Sequence, residues 1–167
     1  MRCPHPGGLF GSLFTGLKVL DPLEVGVVSV FTVKLLVALI LIAHGLGHAL
    51  TALPVFGHTL SRTHSTHSWL LSELLGSAPA TVFCLALSLI SLLGFLGAGL
   101  SLAGWGLSQT NWESLTIAAS LLSLLSLVLF WNSYPFLVPN KVGVIAVDAF
   151  AILSILLLRW PPAVFGG

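Results

Sequence analysis

Charge is what this sequence has least of. Only 7% of its 167 residues are charged, against about 25% in a typical soluble domain. Six basic and five acidic side chains leave a formal net charge of +1. They form no basic cluster, so the electrostatic footprint of a nucleic-acid-binding protein is absent. A polybasic patch for anionic lipid is absent as well. Cysteine is equally sparse. Cys3 and Cys84 form neither a disulfide framework nor a CxxC site, and Cys84, inside an apolar run, reads as a small buried residue. There is no nucleophile–base constellation and no phosphate-binding glycine loop. The N-terminus lacks a continuous apolar stretch ending in a small-x-small cleavage site, so it does not read as a signal peptide.

What is abundant is apolar. Hydrophobic residues make up 56% of the chain, and the mean hydropathy is +1.07. A chain of this composition cannot cover a surface with polar groups, which excludes a soluble globular domain. Disorder, which needs low hydrophobicity and high charge, is excluded too. The apolar runs are long enough to cross a bilayer, which takes about 20 residues. Four spans fit, at about residues 35–53, 80–103, 115–130 and 142–158. Backbone groups in lipid must hydrogen-bond within their own segment, so each span is expected to be a helix. Lys34 precedes the first and can snorkel to the interface.

The links after the second and third spans are short, and Pro135 and Pro139 make the latter a turn. Short links make neighbouring helices antiparallel. The expected fold is therefore all-α, a transmembrane up-down four-helix bundle with short interfacial amphipathic helices. One such helix is expected over about 68–76, with Trp69 as anchor. Residues 1–24, where Phe10, Leu13, Phe14 and Leu17 recur at helical spacing, form a separate interfacial segment ahead of the membrane domain at 25–167. Basic residues favour the side carrying both termini by four to two, which points to cytoplasmic termini in a bacterial inner membrane. Small residues recur through the second span (Ser91, Gly94, Gly97, Ala98, Gly99, Ser101) and the third (Ala118, Ala119, Ser120, Ser123, Ser126). They allow close helix approach. Ordinary packing between these two spans is the simpler reading; a partner helix is the sharper one.

Ionisable groups inside a span are expensive and mark functional hypotheses. Three stand out. His44 and His48 in AHGLGHAL lie one turn apart on one helix face. Asp148 lies in the last span. His48 is roughly 8 Å from the end of its span and Asp148 roughly 9 Å from the start of its own, at the same membrane face, so they share a depth. A carboxylate–imidazole pair is the least costly way to bury both groups.

Three readings of this cluster stay open. It is a structural pair locking the first and last spans. Or it is a metal or cofactor site, with His44 and His48 as ligands to a metal ion, haem or chlorophyll-type pigment. Asp148 would then ligate or orient, and His58, His64 or His67 would complete the sphere. Or it is a proton relay in a small proton-coupled transporter. HGLGH is similar to the zinc-protease helix HExxH, but Gly45 stands where the general base is needed, which argues against an active protease. Bis-histidine haem across two spans is disfavoured because the other three spans contain no histidine.

The segments LLVALILIAHGLGHAL, HSWLLSELLG, SLLGFLGAGLSLAGW, LFW and VGVIAVDAFAILSILLLRWP, taken in order, resemble an uncharacterised bacterial family of small four-span membrane proteins. Its pattern is AHGLxHL, GSWLxSxLLG, a glycine-rich second span, LFW and a final GxLIxLAIL span. The resemblance covers about residues 35–161. It implies the fold and topology but no activity. The family's two histidines correspond to His44 and His48, and its last-span Asn or Asp to Asp148. The longer N-terminus and the extra loop histidines depart from the pattern and suggest a specialised member, for example one recruited into a complex. The expected function is a non-catalytic accessory or structural subunit, with the lipid bilayer and other membrane proteins as partners.

Overall fold

The computed structural model describes residues 22–105 and 111–157. These residues are helical with no strand among them. Helix α1 runs Pro22–Ala52, α2 Leu71–Leu75, α3 Ser77–Leu102, α4 Trp112–Leu129 and α5 Val142–Leu156. Three of them, α1, α3 and α4, are long and apolar enough to cross a membrane; α5 is apolar but shorter. The interfacial segment expected over residues 1–24 lies outside the described residues, except that α1 already begins at Pro22.

The helix ends have local causes. Proline suits the first helical position because its missing N–H has no partner there anyway, and Pro22 opens α1. At the other end Pro54 cannot extend the α-helical ladder. The chain tightens into a 3-10 turn over Leu53–Phe56 and leaves through Gly57 at φ +81°. The amphipathic helix expected over 68–76 is confined to the five residues of α2. Gly76 stops it at φ +89°, a conformation that favours glycine. Pro79 is accommodated in the first turn of α3. Glu113, in the first turn of α4, complements the positive end of the helix dipole. Between α4 and α5, the segment Leu137–Lys141 is a kinked turn, with Val138 extended.

α3 is the central helix, packed against both α1 and α4, while α5 packs mainly on α4. The small residues of α3 make these approaches close. A methyl group added at Gly94 would stand 2.9 Å from the Ala119 Cβ of α4. One added at Gly99 would stand 2.8 Å from the Ala38 carbonyl oxygen of α1. The small-residue stripe therefore serves packing inside this chain on both sides of α3. Phe95, Ala98, Leu102, Ala38, Leu41, Trp112 and Ala119 form the apolar core where the three helices meet. Cys84 is fully buried with Ala80 and Phe130, as its position in an apolar run implies. The outer faces carry Leu36, Leu93, Leu121 and Phe150, each more than half exposed.

The connection after α1 folds back over the one that joins α4 to α5. The Ser65 amide donates to the Asn132 carbonyl at 3.1 Å. The Trp69 indole N–H donates to the Val128 carbonyl at 2.8 Å while its ring stays exposed. Lys141 sits over the Trp131 ring at 4.5 Å.

Candidate functional site

The three ionisable groups singled out in the spans converge. The His44 Nε2–H donates to Asp148 Oδ1 at 2.9 Å. The second carboxylate oxygen of Asp148 accepts from the Ser123 hydroxyl at 2.5 Å. Ser123 Oγ in turn lies 3.1 Å from His48 Nε2. His44 and His48 come from α1, Ser123 from α4 and Asp148 from α5, so the chain of contacts joins three helices. Asp148 and Ser123 are fully buried and His48 is 1% exposed.

The hydrogen count fixes the directions. Ser123 has one hydroxyl proton, and the short contact to a carboxylate takes it, as charge-assisted bonds of this length do. Its oxygen can then only accept from His48, so His48 carries its proton on Nε2. Asp148 thus accepts from two donors, which offsets part of the large penalty for a carboxylate in a low-dielectric interior.

Aromatic rings enclose the cluster. The His48 ring is stacked on Phe95, with centroids 5.8 Å apart and planes 7° from parallel. His44 meets the same Phe95 edge-on at 4.6 Å. The Tyr134 ring stands edge-on to His48, and its hydroxyl donates to the Ser123 carbonyl at 3.4 Å. Tyr134 is buried although it belongs to the connection between α4 and α5. Burial pushes its phenol pKa above the usual tyrosine range.

Sequence reasoning found His44, His48 and Asp148 but assigned Ser123 only a packing role and overlooked Tyr134. The signal for Ser123 is its place between Ser120 and Ser126 on a serine face of α4. Tyr134 carries one weak signal, being the chain's single tyrosine. The loop histidines lie apart from the cluster. His58 and His67 are exposed. His64 is buried, with Nδ1 accepting from the Leu60 amide at 3.0 Å and Nε2–H donating to the Ser133 carbonyl at 3.0 Å. Burial lowers its pKa below the usual imidazole value. No group of three or more His, Cys, Asp or Glu side chains among the described residues is arranged to share a metal ion.

The likeness of HGLGH to a zinc-protease helix ends at Gly45. A methyl group there would stand 2.9 Å from the Phe95 Cβ and 3.1 Å from the Leu92 carbonyl oxygen. The position faces α3 at a close crossing, where no carboxylate side chain fits. The Ser123–His48–Asp148 set also differs from a serine hydrolase triad. There the carboxylate stands behind the imidazole and the imidazole takes the serine proton; here the carboxylate takes that proton itself and holds the other histidine.

Between α1 and α5 the chain leaves a crevice of about 420 Å³, with Gly47, Leu50, Val144, Val147, His44 and Tyr134 among the residues that line it. A smaller cavity of about 210 Å³ lies between α1, α5 and Trp112 and Thr116 of α4, and shares Ile40 and Val147 with it. The His44–Asp148 bond bridges the two helices beside these spaces. Comparison with known proteins found no matching family model, curated protein or solved structure, so the resemblance to the four-span bacterial family rests on the segments quoted above.

Proposed function

We propose that this chain is a non-catalytic integral membrane protein, an accessory or structural subunit of a larger membrane assembly. In this reading the helices form an up-down four-helix bundle, set in a bacterial inner membrane with both termini cytoplasmic. The observation that carries it is the closed hydrogen-bond chain His44–Asp148–Ser123–His48. Both Asp148 oxygens, the Ser123 hydroxyl and the Nε2 of each histidine are taken up by a neighbour, which commits the serine proton to the carboxylate and leaves it no general base. Such a set acts as a lock between helices. It ties α5 to α1 beside the crevice that both helices line. The broad apolar perimeter of the helices supports a protein whose work is done by its membrane-facing surface.

The test is a mild-detergent purification of the tagged chain from its native membranes, with protein content read by mass spectrometry. Stoichiometric membrane-protein partners are the expected result. A lone monomer or a homo-oligomer would overturn the accessory reading.

The crevice favours a second reading, a cofactor- or pigment-binding protein, because His44 is among the residues that line it. A ligand taking His44 Nε2 would have to displace Asp148. An absorption spectrum and a metal assay of the same preparation test it, and a colourless, metal-free chain refutes it.

A further inference from the structure

Among the described residues, four buried side-chain polar atoms have no hydrogen-bond partner in the protein: His48 Nδ1 and the hydroxyls of Ser91, Ser120 and Ser126. They are not scattered. Ser120 and Ser126 flank Ser123 by three residues on either side, on the same face of α4. Ser91 comes from α3, and the contacts between α1 and α3 fix its level. Thr51 Oγ1 lies 2.7 Å from Ser88 Oγ. Gly45 faces Phe95. On α1, His48 lies between positions 45 and 51; on α3, Ser91 lies between 88 and 95. Ser91 also shares a helix face with Phe95, four residues on, and Phe95 is the ring on which His48 stacks. The unpartnered edge of His48 and the unpartnered hydroxyl of Ser91 therefore belong to one layer.

Their chemistry is complementary to a single small ligand. With its proton on Nε2, His48 presents a bare lone pair at Nδ1, an acceptor. Ser91 can donate or accept. An unpartnered buried polar atom is costly, and two in one layer are relieved by one molecule that donates to the first and bonds the second. Internal waters hold such sites, with two to four polar partners each.

We propose that His48 Nδ1 and Ser91 Oγ bind one internal water molecule. The water donates one proton to Nδ1 and bonds the Ser91 hydroxyl. The polar chain then runs from Asp148 on α5 through Ser123 on α4 and His48 on α1 to Ser91 on α3, so the three long apolar helices and the shorter α5 are tied in one layer. The site rests on these atoms alone and does not depend on the accessory-subunit reading.

The test uses the full chain in detergent, labelled with nitrogen-15 histidine. In the parent protein the His48 Nδ1 resonance should show a hydrogen-bonded acceptor. In Ser91→Ala it should move downfield, toward an unbonded imidazole nitrogen. Ser91→Thr keeps the hydroxyl and should leave it in place, which separates loss of the site from general disruption. In parallel, an infrared O–H band of the parent should shift in oxygen-18 water and vanish in Ser91→Ala. An Nδ1 resonance unmoved by Ser91→Ala would overturn the proposal. So would a moved resonance with no oxygen-18-sensitive band lost, because Ser91 would then bond His48 directly.

Discussion

Replacing Asp148 by alanine should loosen α5 from α1, and the size of the effect can be worked from the contacts. The carboxylate accepts two hydrogen bonds, from His44 at 2.9 Å and from Ser123. In a soluble interior each bond to a charged acceptor would be worth about 1.5–3 kcal/mol. Within a bilayer the unfolded helices find other partners, and measured interhelical bonds average about 0.6 kcal/mol and reach about 1.7. Asp148 sits at the upper end of that range, because it is fully buried and its removal leaves the Ser123 hydroxyl without its acceptor. Two bonds near that upper end give a loss of about 3 kcal/mol. Asp148→Asn keeps an acceptor for His44 and should lose only about 1 kcal/mol. The assay is reversible unfolding in mixed micelles by titration with a denaturing detergent. Spin labels at the exposed Leu36 and Leu153 would report the α1–α5 distance, which should broaden in Asp148→Ala. If Asp148→Ala unfolded within about 0.5 kcal/mol of the parent, the polar chain would not be what joins these helices.

Other outcomes follow from the same geometry. Ser123→Ala removes both the donor to Asp148 and the acceptor of His48 and should destabilise by about 1–3 kcal/mol in the same assay; a neutral result would break the assigned order of bonds. Gly99→Ala drives a methyl group to 2.6 Å from Ile42 Cγ1 and 2.8 Å from the Ala38 carbonyl, and should lose about 1–3 kcal/mol. Gly47→Ala meets nothing within 4 Å and should stay within about 0.5 kcal/mol of the parent; equal losses at both sites would refute the assigned α1–α3 crossing. Burial holds the His64 pKa below its ordinary value, so the unfolded loop takes up a proton more readily than the folded one. Stability is then full above the ordinary imidazole pKa near 6.5 and falls as pH drops below it, until His64 also protonates in the folded state. Exchange protection over residues 58–68, taken relative to the intrinsic amide rate at each pH, should therefore fall on going from about pH 7 to about pH 5; unchanged protection would show that His64 does not hold this loop.

Much of the candidate site is legible in the sequence, because two of its facts are one-dimensional. The i, i+4 spacing puts His44 and His48 on one face, and counting residues from the membrane face gives Asp148 the same depth. Which histidine meets the carboxylate is a different kind of fact. It depends on how α4 and α5 are rotated about their own axes, and that rotation is set by contacts such as Gly94 on Ala119. Ser123 enters the network for the same reason. In the sequence it is one of several serines on α4; its rotation toward α5 makes it the link between Asp148 and His48.

Composition and local pattern suffice to establish that the chain is helical, with helices long and apolar enough to cross a membrane. Hydropathy is a local property, and a backbone in lipid can satisfy its polar groups within one segment only as a helix. Hydropathy and the prolines after α4 also place the ends of α3, α4 and α5 to within a few residues, whereas α1 begins at Pro22, well ahead of the expected start near residue 35. The tertiary structure decided what those helices do to one another: that α3 is central, that Gly45 is closed against Phe95, and that His64 is buried under the α4–α5 connection. It also decided that α1 and α5 meet through a hydrogen bond beside a crevice. These outcomes depend on side chains far apart in the chain filling one another's space, and no window along the sequence contains both partners.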